Sequence, residues 1–390
     1  MEKTRLYYID NLRVATIMSV IMIHLAVTYS GSGIWLYNEI RPLNFFNHIF
    51  FRFFQTFIQA FSMGMLFFVA GYFTHMAIDR KSSSQFVSDR FRRLGLPALF
   101  FLLFITPFAV WVQGSTLWEY EASGFLDFYS QYLQSAGMQL LGVGPMWFAL
   151  ALLIFSVIYV LGRLIFPQAA NRDSRQGVLN ASRLLLLIVI IAAVAFLLRL
   201  FFPIGSVFWG MQLGFFSQYI ILFIAGIAVY RTNCLENITP AAGRYWLAAG
   251  LILGFLGLLL FIYLIDAYDF STLTIKTLHS GKSDASGANW GAVYYALWES
   301  FVAVAMTVGL LGMFRDKLNF SNSLTQKLSA AAFAVYMFHP PIIVAVTKSM
   351  QALDMQPVFK WAMAGVISIP LCFLIGYYIL LRIPLLKKIL

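Results

Sequence analysis

The chain has 390 residues, 61% hydrophobic and 11% charged, with a formal net charge of +11. Soluble domains carry about 45–50% apolar and about 25% charged residues, so this composition excludes a water-soluble globular protein and points to an integral membrane protein. The positive charge does not mark a nucleic-acid binder, because the basic residues sit in short loops between apolar runs, where they act as orientation signals.

A membrane-crossing helix needs about 20 apolar residues. Runs of that kind lie near 10–30, 53–77, 94–113, 145–165, 184–203, 211–230, 245–265, 290–314, 328–349 and 358–381. They predict an all-α integral membrane protein of about ten transmembrane helices. The first run follows Met-Glu-Lys-Thr-Arg with no small-residue cleavage site behind it, so it reads as an uncleaved span. Residues 41–52, "RPLNFFNHIFFR", read as an interfacial lead-in to the second span. An even number of spans places both termini on one side. With the termini cytoplasmic, most of the 27 basic residues fall inside, among them Arg80, Lys81, Arg90, Arg92 and Arg93 before the third span and Arg163, Arg172, Arg175 and Arg183 around the loop after the fourth. Arg41, Arg52, Arg199, Lys276, Lys282, Lys348 and Lys360 fall outside. The positive-inside rule therefore predicts cytoplasmic termini. The outer loops 31–52, 114–143 and 266–289 are too short for separate domains, so residues 1–390 read as a single transmembrane domain. Cys234 and Cys372 are placed in a loop and an apolar run, and no disulfide is expected. Zinc-ligand spacing and a phosphate-binding glycine loop are both missing, so no metal and no bound cofactor are expected.

Ionisable side chains at membrane depth are costly and mark sites or pathways. Three stand out: His24, Glu299 and His339. Counting the helical rise from the expected span ends puts His24 roughly 18 Å, His339 roughly 17 Å and Glu299 roughly 14 Å into the bilayer, all near the midplane. They converge if the first, eighth and ninth spans pack together. Arg13 lies eleven residues before His24, three turns plus about 20°, so the two share one helical face about 16 Å apart. That face carries a cation at the cytoplasmic edge and a titratable base at mid-depth, which suits a long anionic ligand. His75, His48 and His279 sit near span ends and read as solvated or interfacial.

Six segments, in order, carry a resemblance. "LRVATIMSVIMIH" holds the Arg-x10-His pair, "FFVAGYF" (67–73) follows on the second span, and "RFRRLGLPAL" (90–99) opens the third. "GPMWFALALLIF" (144–155), "WES" around Glu299 and "VYMFHPP" (335–341) complete the set. Together they resemble the acyltransferase-3 family of membrane acyltransferases, almost end to end. The C-terminal "LRIPLLK" and the overall length are similar to the glucan-modifying branch, whose members succinylate periplasmic glucans. Where relatives often have Ser before the Gly-Tyr, this chain has Ala70, so no role of that hydroxyl is carried over. The chain reads as a membrane core acting alone, without the esterase-like domain that some relatives append.

The resemblance implies an O-acyltransferase in a bacterial cytoplasmic (inner) membrane. It would move an acetyl or succinyl group from cytoplasmic acyl-CoA, the co-substrate, to a hydroxyl of an extracytoplasmic carbohydrate such as a periplasmic glucan. Arg13, Arg90 and Arg93 would hold the donor phosphates, for which arginine is suited. His24 would act as general base or as nucleophile through an acyl-histidine. Glu299 would orient the imidazole or, protonated, donate to the acceptor. His339 and Tyr336 would stabilise the thioester oxygen, and Tyr72 and Trp147 would line the acceptor entrance. Arg199 or Lys276 would meet the free carboxylate of a succinyl donor. Membrane lipids are the remaining expected partner, and the oligomeric state is open. The competing readings are a secondary transporter using Glu299 and the histidines as a proton relay, for which matching half-repeats are not visible, and a non-catalytic scaffold.

Overall fold

The computed structural model describes residues 5–33, 35–39, 43–113, 122–134, 142–166, 180–265, 268–269, 274–275 and 285–387. Within them, ten helical segments are long and apolar enough to cross a membrane: α1 (Tyr7–Ser30), α2 (Phe45–Ile78), α3 (Ser83–Trp111), α4 (Gly144–Ile165), α5 (Ala181–Phe201), α6 (Leu213–Thr232), α7 (Pro240–Leu264), α8 (Trp290–Lys317), α9 (Ser323–Ser349) and α10 (Pro357–Arg382). A short helix, Phe125–Gln134, lies between α3 and α4. A two-residue antiparallel pairing of Tyr268–Asp269 with Thr274–Ile275 lies between α7 and α8. The loop residues Arg41, Arg172, Arg175, Lys276, His279 and Lys282 lie outside the described residues.

The predicted runs all appear as helices, but two begin earlier than hydropathy indicated. The lead-in at 45–52 is the first part of α2 itself, started by Asn44, whose side-chain oxygen accepts from the Asn47 N–H at 2.9 Å. The helix is interrupted at Ala60 and Phe61, where the Ala60 carbonyl accepts a 2.9 Å hydrogen bond from Gln218 of α6. Similarly, α3 starts at Ser83, capped by Ser82. Hydropathy misses both beginnings because the extra turns are amphipathic or polar.

Two wide π-helical turns, Phe91–Gly95 and Phe101–Ile105, interrupt α3. Each comes just before a proline, Pro97 and Pro107. A proline has no N–H to give to the carbonyl four residues earlier and its ring crowds that carbonyl, so the backbone widens there.

Helix α8 is the centre of the bundle, with 78% of its apolar window buried against 28% for α4 and α7, which face lipid. It packs on α7 through a glycine stripe. Trp298 donates to the Gly254 carbonyl at 2.8 Å and Tyr294 to the Gly257 carbonyl at 2.9 Å. Helix α1 packs against α8, α9 and α10. The second half of α2 crosses α6 at backbone distance, where Gly71 lies against the Phe223 carbonyl and Gly226 against the Phe68 carbonyl.

A Cβ at either glycine would press into backbone that cannot rotate away. Gly71→Ala and Gly226→Ala should each destabilise by about 1–3 kcal/mol or more, read as a lowered melting temperature of the detergent-solubilised protein. The neighbouring Ala70→Ser should leave it within about 0.5 kcal/mol.

Candidate functional site

His24 occupies the second half of α1, and its ring is enclosed by other rings. Trp35 stacks on it with centroids 3.9 Å apart and planes 12° from parallel, while His339 stacks at 5.2 Å and 24°. Trp35 reaches His24 because the chain turns back immediately after α1. Gly31 takes the left-handed conformation (φ 63°) that ends the helix, and the Glu39 N–H returns to the Thr28 carbonyl at 2.8 Å. The returning segment is held by a buried ion pair, Lys360 Nζ to Glu39 Oε1 at 2.7 Å. Lys360 also donates to the Gln351 and Leu353 carbonyls.

His339 is placed by the two prolines that follow it. Pro340 has no N–H, so the Tyr336 carbonyl loses the donor a regular helix would supply. The His339 Nδ1 lies 2.8 Å from that oxygen and 3.2 Å from the Val335 carbonyl. Both neighbours are acceptors, so Nδ1 carries the proton and Nε2 the lone pair. That Nε2 is buried without a protein partner among the described residues. Tyr336 in turn donates its hydroxyl to the Pro145 carbonyl, tying α9 to the first turn of α4.

Beside His24 is a cavity of about 640 Å³ at the end of the bundle where α1 finishes and α2 begins. Its wall includes His24, Trp35, Trp147, Phe215, Tyr219 and Tyr295, with a polar set from α2: Arg52, Gln55, Thr56 and Gln59. Trp147 and Tyr219 are neighbours at 5.5 Å between centroids.

Glu299 is not in that wall. Its carboxylate pairs with Arg199 of α5, and both side chains are shielded from solvent. Arg199 also donates to the Gly214 carbonyl at 3.0 Å and lies over the rings of Phe215 and Tyr295, at 5.3 and 5.2 Å. The expectation that Glu299 orients His24 is thus corrected: His24 has rings as neighbours, and the carboxylate is engaged one layer behind the cavity wall. A buried carboxylate needs a full countercharge, which the guanidinium gives and a neutral imidazole does not. Arg199, expected to meet a succinyl carboxylate, is engaged by the same pair.

The remaining candidates separate. Arg13, partly exposed, pairs with Asp10 at 3.4 Å. Arg90 donates to Thr74 Oγ1 at 3.1 Å and lies over Phe86, while Arg93 is exposed. These arginines lie near the beginnings of α1 and α3, at the end of the bundle opposite the cavity. Tyr72 also lies toward that end, packed edge-on against Tyr230, rather than at the cavity. His75, expected to be solvated, is buried, with Tyr159 Oη at 3.0 Å, Arg163 at 3.3 Å and Asp79 at 3.5 Å. Both cysteines are buried free thiols. Sequence reasoning had not singled out Trp35, Gln55, Gln59 or Tyr219. The one available signal was the recurrence of polar residues every three to four positions in the Phe-rich stretch of α2.

The family model described as "Acyltransferase domain" matches residues 6–377. The chain belongs to the acyltransferase-3 family. Among curated proteins, this family member is similar to "Glucans biosynthesis protein C" of Escherichia coli (strain SMS-3-5 / SECEC) and of Shigella dysenteriae serotype 1 (strain Sd197). Each is 27% identical over 160 residues. The match covers 40% of this chain and 38% of each relative's length. No solved structure matches.

Two stability tests follow for this family member. Arg199→Met alone should cost about 3–5 kcal/mol by stranding the carboxylate, and the Arg199→Met/Glu299→Leu double variant should recover most of that loss in thermal unfolding. His339→Phe should cost about 1–3 kcal/mol by leaving the Tyr336 carbonyl without a donor. Adding Pro340→Ala, which restores a backbone N–H, should recover part of it.

Proposed function

We propose that the protein is a membrane O-acyltransferase that moves an acetyl or succinyl group from acyl-CoA to a hydroxyl of a carbohydrate such as a glucan. In this reading it works in a bacterial cytoplasmic membrane, with both termini inside. The observation that carries the reading is the position of His24, a titratable ring at the wall of a polar and aromatic cavity on the side away from Arg13, Arg90 and Arg93. The family membership supports acyl transfer. The partial likeness to proteins named for glucan biosynthesis supports the acceptor class.

The donor binds with its phosphates against the cytoplasmic arginines and its thioester extended toward mid-depth. The acceptor enters the cavity from outside. His24 takes the proton from the acceptor hydroxyl as the oxygen attacks the thioester carbonyl. The carbon–sulfur bond breaks, and the imidazolium returns the proton to the departing thiolate, giving an ester and free CoA. Trp35, face-on to the imidazole, favours the imidazolium formed midway, as aromatic faces favour cations. Tyr336 holds the ninth helix against the fourth, and His339 borders the imidazole beside Trp35.

The test uses purified protein in nanodiscs with radiolabelled acetyl-CoA or succinyl-CoA and a glucose oligosaccharide. His24→Ala should lower transfer by about 10²–10⁴-fold, the range for loss of a general base, while acyl-CoA binding persists. Equal transfer by the wild type and the variant would remove His24 from the chemistry.

A further inference from the structure

Hydrogen-bonding capacity around the cavity is concentrated on one helix. Arg52, Gln55, Thr56 and Gln59 line it at positions i, i+3, i+4 and i+7 of α2, one helical face about 10 Å long. Each glutamine is oriented by the protein. The Gln55 carboxamide nitrogen donates to Ser30 Oγ at 2.9 Å, and that of Gln59 donates to the Tyr219 hydroxyl at 2.9 Å. A carboxamide has two N–H groups and an acceptor oxygen, so each keeps a donor and an acceptor for a ligand. Trp147 and Tyr219 add aromatic faces to the same wall. No carboxylate lines the cavity among the described residues, and Arg52 is its one fixed charge there.

We infer that this face of α2 is the acceptor-reading wall of the enzyme: Gln55, Thr56 and Gln59 hold the hydroxyls of a neutral saccharide whose ring faces pack on Trp147 and Tyr219, and Arg52 excludes cationic amino sugars. The inference rests on the carbohydrate-acceptor reading given above and adds which residues select the acceptor. Amides and a hydroxyl match neutral hydroxyl groups, which both donate and accept. Apolar C–H faces of a pyranose match aromatic rings. An ammonium group would find no counter-charge here and would meet a guanidinium instead. Two pyranose rings fit along the stripe, so recognition extends past the reacting sugar.

The experiment measures calorimetric binding of a glucose hexasaccharide and of a glucosamine hexasaccharide to the protein in nanodiscs, beside acetyl transfer. Gln55→Met and Gln59→Met should each raise the Kd and the acceptor KM for the glucose oligomer about tenfold, the scale of one hydrogen bond lost. The kcat and the affinity for acetyl-CoA should stay unchanged, which a general loss of structure would not allow. Thr56→Val serves where a methionine variant does not fold. The wild type should bind the glucosamine oligomer at least tenfold more weakly than the glucose oligomer, and Arg52→Gln should narrow that gap. Normal transfer and acceptor KM in both glutamine variants would overturn the inference and leave acyl transfer standing. Preference of the wild type for the amino sugar, or no saccharide binding at all, would overturn it as well. Glutamine-dependent saccharide binding without transfer from either acyl-CoA would uphold this wall as a saccharide site and remove the transferase reading instead.

Discussion

The guanidinium of Arg199 and the carboxylate of Glu299 meet where neither has access to water, and the arrangement of α5, α6 and α8 follows from that meeting. A lone charge at this depth costs several kcal/mol, so the two helices that carry the partners are constrained to lie side by side. The guanidinium then takes a third contact, the Gly214 carbonyl at the start of α6, and is flanked by Phe215 and Tyr295. Those two rings are also part of the cavity wall. The shape of the cavity therefore depends on an ion pair whose two residues are not part of its wall.

The same demand for partners in a medium without water shapes the ninth helix. Pro340 deprives one carbonyl of its donor, and the preceding histidine supplies another. Meeting that demand fixes the tautomer of His339 and holds its ring beside His24. Packing and chemistry are joined here, since a backbone defect positions the ring that borders the candidate base. Over the face of His24, Trp35 is held by a loop whose anchor, the Lys360–Glu39 pair, is buried in its turn.

Hydropathy made the ten spans legible, because in hydrocarbon every backbone polar group must be satisfied within a helix and the apolar length is set by the bilayer. Prolines 97 and 107 announced the places where α3 widens. That His24, Glu299 and His339 lie well inside spans was legible as well. Depth is a single coordinate, however, and direction around each helix axis decides which side chains meet. Glu299 turned to α5 and His339 to α1, a difference that comes from the pairing of distant helices. Arg199 had the composition signature of an outer-edge anchor, because its partner lies a hundred residues along the chain. Trp35 was hidden in a loop whose path depends on Glu39 finding Lys360. The beginning of α2 was obscured by Asn47, His48 and Arg52, which interrupt the apolar pattern a span is recognised by.

The ring stack around His24 has a consequence for the membrane as a barrier. With Trp35 over one face of the imidazole and His339 beside the ring, access to the imidazole is restricted to the sides these two rings leave open. In the proposed reaction, reactants from the two sides of the bilayer would meet at this ring without a continuous aqueous path between them. A chemical group would change sides by changing its covalent carrier. Such an arrangement would let a cell decorate its exterior using an interior metabolite.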